Sequence, residues 1–331
     1  MKKYNVAIVG IRGAVGQEML KILEQRRFPV NELSVMSFHP AECPEYNFMG
    51  RKIKATELTH DAFQGIEIGL FSPGAAVSKD YAPSAVKAGA VVIDNTSQFR
   101  MDPDVPLVVP EVNPQDIFKH HGIIANPNCS TIQMVVALKP LHDFARIKRI
   151  VVSTYQAVSG AGSEAIAELE SQEQGKMVIQ KFPYQIFHNL IPHIDIPQDK
   201  FYTKEELKMS LETKKIMGDP RINVTATCVR VPVVRAHSES VNIETERKIT
   251  REKAIELLKK APGIQVMDDL PNNIYPVPLM AEGKDDTFVG RIREDDTVEC
   301  GLNLWIISDN LRKGAALNAI QIAEELIQAK A

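Results

Sequence analysis

Three patterns in this chain hold residues that could do chemistry. In Ala125-Asn-Pro-Asn-Cys129-Ser-Thr, a short apolar strand, Ile123–Ala125, runs through a tight turn to a cysteine. Beyond it, residues 130–141 carry helical spacing, with Ile132, Val135, Val136 and Leu138 on one stripe. Ser130 and Thr131 are good helix starters, and Pro127 keeps a helix from starting sooner. Cys129 is therefore expected at a helix N-terminus, where N–H groups and the dipole favour a thiolate nucleophile. The alternative is a buried core thiol at a strand–helix junction.

In Arg230-Val-Pro-Val-Val-Arg-Ala-His237, the strand before Pro232 can carry Arg230 and the turn after it can return His237 to the same face. The pair would supply a base for a thiol and a cation for a leaving group, although a lone histidine is more often structural. The third pattern is Gly10-Ile-Arg12-Gly13-Ala14-Val15-Gly16, between a strand at Tyr4–Val9 and a helix to about Arg26. It reads as a dinucleotide turn that brings backbone N–H groups to a pyrophosphate, or as a plain tight turn. A nicotinamide site beside a helix-capped cysteine implies hydride transfer to or from a thioester.

The elements around these patterns must position them. Leu33–Ser37, Ile66–Phe71, Ala90–Ile93 and Leu107–Val109 read as short strands, with a helix near Ser78–Ala88, which argues for a parallel sheet covered on both faces. After Cys129 come a strand at Ile150–Ser153, a small-residue loop at 156–162 and a helix around Glu164–Gln174. An irregular Pro-rich stretch, Phe182–Asp199, precedes a helix at Lys204–Ile216. Val224–Arg230, Ser238–Glu244, Thr287–Arg293 and Gly301–Ser308 alternate as strands of a half-exposed sheet, and Asn310–Ile327 is a final helix. The fold class is α/β: a Rossmann-type parallel-sheet N-terminal domain and an α+β second domain, with Cys129 at the junction. Ligands of such sheets bind at the carboxyl ends of the strands.

A net charge of −3 gives no reason to expect nucleic acid, and no apolar run reaches the ~18 residues of a membrane span. The start of the chain carries no signal-peptide pattern, and Cys43, Cys129, Cys228 and Cys300 have no metal-ligand spacing. A reducing cytoplasm and no metal are the corresponding expectations.

Five segments carry a resemblance: V-I-D-N-T-S-Q-F-R-M-D-P-D-V-P-L-V-V-P-E-V-N, A-N-P-N-C-S-T-I-Q, S-T-Y-Q-A-V-S-G-A-G, R-V-P-V-V-R-A-H-S-E-S and S-D-N-L-R-K-G-A-A. Together they resemble the aspartate-β-semialdehyde dehydrogenase family, from Tyr4 to the last helix. The resemblance implies NADPH-dependent reductive dephosphorylation of L-β-aspartyl phosphate to the β-semialdehyde, a step towards lysine, threonine and methionine. It implies Cys129 as nucleophile, His237 as acid–base, Gln156 orienting the acyl group and Asn128 shaping its pocket. Arg230 would clamp the substrate carboxylate, Glu205 and Lys208 would hold the amino group and phosphate, and Arg100 the departing phosphate. Read from spacing alone, Glu205 and Lys208 are a solvated i, i+3 pair, and Asn310 is a helix N-cap.

For the cofactor, NADP, the resemblance implies contacts from Gly10, Arg12, Gly13, Ala14, Val15, Gly16, Ser37, Phe38, His39, Ser159, Gly160 and Asn310. Here the chain departs from the family. Arg12 stands where threonine is usual and His39 where arginine is usual, and the second strand ends without a carboxylate for a free ribose 2′-OH. Arg12 is accordingly expected to replace the missing 2′-phosphate cation; an arginine pointing into solvent is the alternative. Residues 1–127 with 311–331 are expected as the NADP-binding domain, the last helix packing back on it. Residues 128–310 are expected as the catalytic and dimerisation domain of a homodimer that uses small molecules and phosphate. N-acetyl-glutamyl-phosphate reductase and a non-catalytic dinucleotide-binding sensor are the competing functions.

Overall fold

The structure, a computed structural model, describes residues 2–328. These form two compact units, residues 2–127 with 315–328, and Asn128–Gly314. The first unit resumes at Ala315, later than the expected 311. Asp309 accepts the N–H groups of Leu311 and Arg312 on its side chain and that of Gly314 on its carbonyl, which keeps these residues with the second unit.

In the first unit, β1 (Tyr4–Val9), α1 (Ala14–Gln25), β2 (Val30–Ser37), β3 (Tyr46–Phe48), β4 (Arg51–Ile53) and β5 (Ala55–Glu57) are followed by β6 (Ile68–Phe71), α2 (Ala75–Lys87), β7 (Val91–Asp94) and β8 (Ile123–Ala125). The sheet runs β5-β2-β1-β6-β7-β8, with every pair parallel. Alternate β1 residues enter opposite cores. Val6 and Ile8 pack with Met19, Ile22 and Leu23 of α1, whereas Ala7 and Val9 pack with Phe63 and Phe71. A sheet covered on both faces needs such continuous apolar strands. The C-terminal helix, Leu317–Gln328, adds Leu317, Ile320 and Ala323 to the α1 core. Leu107–Val109, expected as a strand, makes only one bridge, Leu107 to Ala125. Prolines flank it at 106 and 110, and the Val109 N–H turns to the Asn113 side chain.

The second unit opens with α3 (Cys129–Ala145), β9 (Ile147–Gln156), α4 (Ser163–Glu173), α5 (Lys204–Met217), β10 (Asn223–Arg230) and β11 (His237–Thr245). It continues through α6 (Arg251–Lys260), β12 (Ile264–Val266), α7 (Pro278–Ala281), β13 (Thr287–Asp295) and β14 (Gly301–Ser308). Its mixed sheet runs β10-β9-β11-β14-β13-β12. Met134, Ala137, Leu138 and Leu141 of α3 share a core with Ile150, Val152, Ala226, Val241, Ile243, Leu304 and Ile306. At two-residue spacing, those strand positions continue into Thr154, Gln156, Cys228, Arg230, Glu239, His237 and Ser308, all buried. One sheet face is thus apolar along most of its length and polar at one end. Among the described residues, no helix is long and apolar enough to cross a membrane, and no cluster of three metal-ligating side chains occurs.

Candidate active site

Cys129 is the first residue of α3, and the residue that caps the helix is Asn128, not Ser130 or Thr131. The Asn128 Oδ1 accepts the Ser130 and Thr131 N–H groups at 3.0 and 3.3 Å. The cysteine therefore stands in the first turn, where the helix dipole favours an anion. A Cβ on Gly314 would lie 3.0 Å from the Cys129 Cβ, so a larger residue there would press on the Cys129 side chain. The core-thiol description belongs to Cys228, which is fully buried and whose thiol burial pushes far up.

Asn128 is held in turn from α5. Its Nδ2 donates to Glu205 Oε1 at 2.9 Å and its backbone N–H to Glu212 Oε2 at 2.7 Å. Gln156 Nε2 donates to the same Glu205 oxygen at 3.1 Å, and Lys208 Nζ reaches Glu205 Oε2 at 3.1 Å and Asp195 at 2.7 Å. Thr203 and Glu206 close a reciprocal capping box that fixes the start of α5. The solvated-pair reading fails, because Glu205 is only 5% exposed. Burial opposes its charge, but Lys208, Asn128 and Gln156 outweigh that and hold the carboxyl below its ordinary range.

Gln156 is paired across the sheet with Arg230 on one side. His237 stands opposite it on the other, one step beyond the Tyr155–Ser238 pair. Arg230 and His237 thus share a face, as expected, but with β9 between their strands. Ala157 ties them together: its carbonyl accepts Arg230 NH1 at 2.6 Å, and its N–H donates to His237 Nδ1 at 3.0 Å. Burial, then the charge of Arg230, push the imidazole well below its ordinary range, so the ring is neutral. A Cβ on Gly160 would lie 3.0 Å from both Arg230 NH1 and His237 Nε2. Asn310 is not an N-cap; Asp309 fills that role. The Asn310 amide instead spans Ser159 at 3.0 Å and the Ala236 N–H at 2.9 Å. The expected single helix at Asn310–Ile327 opens with a wide π turn, Arg312–Ala316, before Leu317–Gln328.

In the first unit the glycine turn is built for close approach. Gly10 has φ +91°, and a Cβ there would lie 2.7 Å from the Ser72 backbone; one on Gly16 would lie 2.4 Å from the Gly10 carbonyl oxygen. Gly13 precedes Ala14 and Val15 as the N-cap, with no side chain closing the N-terminus of α1, so the loop fits a pyrophosphate. Arg12 reaches the segment after β2, where Glu42 binds its NH1 at 2.8 Å. Ser37 Oγ accepts the His39 N–H at 3.2 Å, and Phe38 packs edge-on to Tyr81. Arg100 is buried, donating to the carbonyls of Asn126 and Asn95 at 2.9 and 2.8 Å.

Glu212, Ala157 and Glu42 had escaped the sequence reading. Glu212 lies two turns after Glu205, and that same-face spacing was the available signal. Ala157 acts through its main chain, which leaves no signature. Glu42 was hidden because a proline-led turn, Pro40–Glu42, brings it back to the glycine loop.

Two family models match: semialdehyde dehydrogenase, NAD binding domain, over residues 5–120, and semialdehyde dehydrogenase, dimerisation domain, over 138–313. The chain is 57% identical to aspartate-semialdehyde dehydrogenase of Aquifex aeolicus, covering 98% of each, and 52% identical to that of Bacillus subtilis, covering 97% of each. Among solved structures it is similar to aspartate semialdehyde dehydrogenase II of Vibrio cholerae complexed with ASA, at 47% identity and a TM-score of 0.96 over 99% of each chain. A Candida albicans aspartate semialdehyde dehydrogenase with NADP matches at 25% identity and a TM-score of 0.77, over 98% of each chain. The chain belongs to the aspartate-semialdehyde dehydrogenase family.

Proposed function

We propose that the protein carries out NADPH-dependent reductive dephosphorylation of L-β-aspartyl phosphate through a thioester on Cys129. The observation that carries this reading is the buried knot of Asn128, Glu205 and Gln156 around the first turn of α3. Cys129 adds to the acyl carbonyl, favoured as a thiolate by its helix N-terminus. Arg230, a planar fork of donors, takes the substrate α-carboxylate. Glu205 keeps lone-pair capacity beyond its three partners and binds the ammonium group, and Lys208 neutralises phosphate. Gln156 orients the acyl group within the row it shares with Arg230 and His237.

NADPH supplies the hydride. Residues 2–127 with 315–328 form its domain, with the glycine turn at the pyrophosphate and Arg12, Ser37, Phe38 and His39 around the 2′-phosphate. Within the second unit, Ser159, Gly160 and Asn310 are the residues assigned to the nicotinamide. The second unit pairs with a second copy through its sheet, and the protein works in the cytoplasm. N-acetyl-glutamyl-phosphate reduction is not favoured, since an acetylated amine would leave the buried Glu205 charge without its ligand. A sensor has no need of the knot. Phosphate-dependent reduction of NADP⁺ by L-aspartate β-semialdehyde tests the proposal: turnover that requires phosphate supports it, and turnover only with an N-acetyl-glutamate semialdehyde contradicts it.

A further inference from the structure

We propose that Glu42 is a cofactor-selecting residue: paired with Arg12, it lets one site take NAD(H) as well as NADP(H), Glu42 accepting the ribose 2′-OH of the first and Arg12 meeting the 2′-phosphate of the second. The proposal rests on the first unit being the dinucleotide domain and widens the cofactor assigned to it. In a sheet of this kind the adenosine ribose is held beside the glycine turn and the end of the second strand, where a carboxylate favours a free 2′-OH and an arginine a 2′-phosphate. The end of β2 itself, Ser37-Phe38-His39, offers no carboxylate. The turn that follows delivers one. Pro40 fixes φ at its start, and the N–H groups of Glu42 and Cys43 close it on the carbonyls of His39 and Pro40, both at 3.1 Å. The His39 N–H ties the turn back to Ser37 Oγ at 3.2 Å. Glu42 thereby faces the glycine turn and accepts Arg12 NH1 on Oε2 at 2.8 Å. The main chain of Arg12 is held too, its carbonyl accepting Gln17 Nε2 at 3.2 Å.

The charges at this rim balance. Within residues 10–16 and 36–46, Arg12 is the one arginine or lysine, and Glu42 and Glu45 are the acids. Glu45 is engaged elsewhere, by Lys52 at 3.0 Å and Lys54 at 3.6 Å. Glu42 therefore cancels the single cation that a 2′-phosphate could use. For NADP⁺, Arg12 must turn from Glu42 to the phosphate and leave a carboxylate close to a second anion. For NAD⁺ the pair stays whole, because an ionised carboxylate has acceptor positions beyond the one that Arg12 fills, and the 2′-OH can donate to them. Both side chains are half-exposed, so the pair is cheap to open and neither cofactor is shut out.

The test is calorimetric titration of the full-length protein with NAD⁺ and NADP⁺ in turn, in wild type, Glu42→Gln and Glu42→Ala. Wild type should bind both, with dissociation constants within about tenfold of each other. NAD⁺ should weaken about fivefold in Glu42→Gln, which keeps a neutral acceptor, and about tenfold in Glu42→Ala, which keeps none. NADP⁺ should instead tighten about two- to threefold in both variants, as Arg12 is released from its exposed pair. Adenosine 5′-monophosphate, which carries the free 2′-OH without a nicotinamide, should lose affinity in step with NAD⁺. Opposite movement of the two cofactors is the signature, since a turn that is merely damaged moves both the same way and overturns the proposal. So does NAD⁺ affinity unchanged in the variants, which would make Glu42 only a partner of Arg12, and so does a wild type that binds NADP⁺ alone. These titrations need no turnover at Cys129, so they stand apart from failure of the thioester reading. A wild type that binds neither cofactor would remove the dinucleotide reading and this proposal with it.

Discussion

The polar end of the second unit's sheet and the rim of the glycine loop in the first unit are both built from charged side chains, but they hold them differently. Around Cys129 the groups are buried and cross-linked: Glu205 alone takes bonds from Asn128, Gln156 and Lys208. At the rim, Arg12 and Glu42 are 50% and 59% exposed and form one ion pair. Removing one partner from a buried charged set costs about 3–5 kcal/mol, whereas an exposed pair is worth about 0–1 kcal/mol. Chemistry that needs sub-ångström placement is therefore built on the interlocked side. The exposed side can exchange residues at little cost.

Substitutions on the two sides should separate accordingly. Cys129→Ala is expected to lower kcat at least about 100-fold, roughly 2.7 kcal/mol of barrier, without altering NADP⁺ affinity. Substantial residual turnover would mean the buried site is not where the covalent step occurs. Arg230→Lys keeps the charge but loses the fork, and kcat/KM for aspartate semialdehyde should drop by about 10- to 100-fold, ~1.4–2.7 kcal/mol. Near-normal kinetics would leave Arg230 a structural partner of Ala157.

On the exposed side the effects are smaller. Arg12→Ala should weaken NADP⁺ by about tenfold, ~1.4 kcal/mol, and leave NAD⁺ nearly unchanged. Glu42→Gln, which releases Arg12 from its ion pair, should tighten NADP⁺ modestly. Equal losses of both cofactors in Arg12→Ala would assign Arg12 to the pyrophosphate. The smallest effect concerns stability on the buried side. Glu239 is fully buried, neither of its carboxyl oxygens has a hydrogen-bond partner among the described residues, and burial raises its carboxyl well above the ordinary range. Its folded pKa lies above its unfolded one, so the unfolded chain ionises first and stability falls as pH rises past the unfolded value. Glu239→Gln should therefore melt higher than wild type at pH 8, with the difference vanishing towards pH 4. The same melting difference at both pH values would mean that Glu239 is charged in the fold.

The same contrast explains what the sequence made legible. Cys129, Asn128, Gln156, Glu205, Arg230 and His237 lie in one unit at the ends of regular elements, where period and punctuation carry the information. Hairpin β3–β4 escaped because its turn is Met49-Gly50, with a positive φ at a methionine that no turn rule anticipates. Helix α6 escaped although Thr250 caps it, its apolar face being short within a charged run. The Arg12–Glu42 pair depends on how a three-residue turn folds back, and the Ala157 clamp on main-chain atoms that every residue shares.

The central claim is that an aspartyl group passes through Cys129. Mixing the wild-type protein with L-aspartate β-semialdehyde and NADP⁺ in the absence of phosphate, quenching in acid and mapping peptides by mass spectrometry tests it directly. The account predicts one aspartyl group on the peptide containing Cys129, lost when phosphate is added before the quench. Reduced cofactor formed with no adduct on that peptide, or an adduct on Cys43, Cys228 or Cys300, would contradict it.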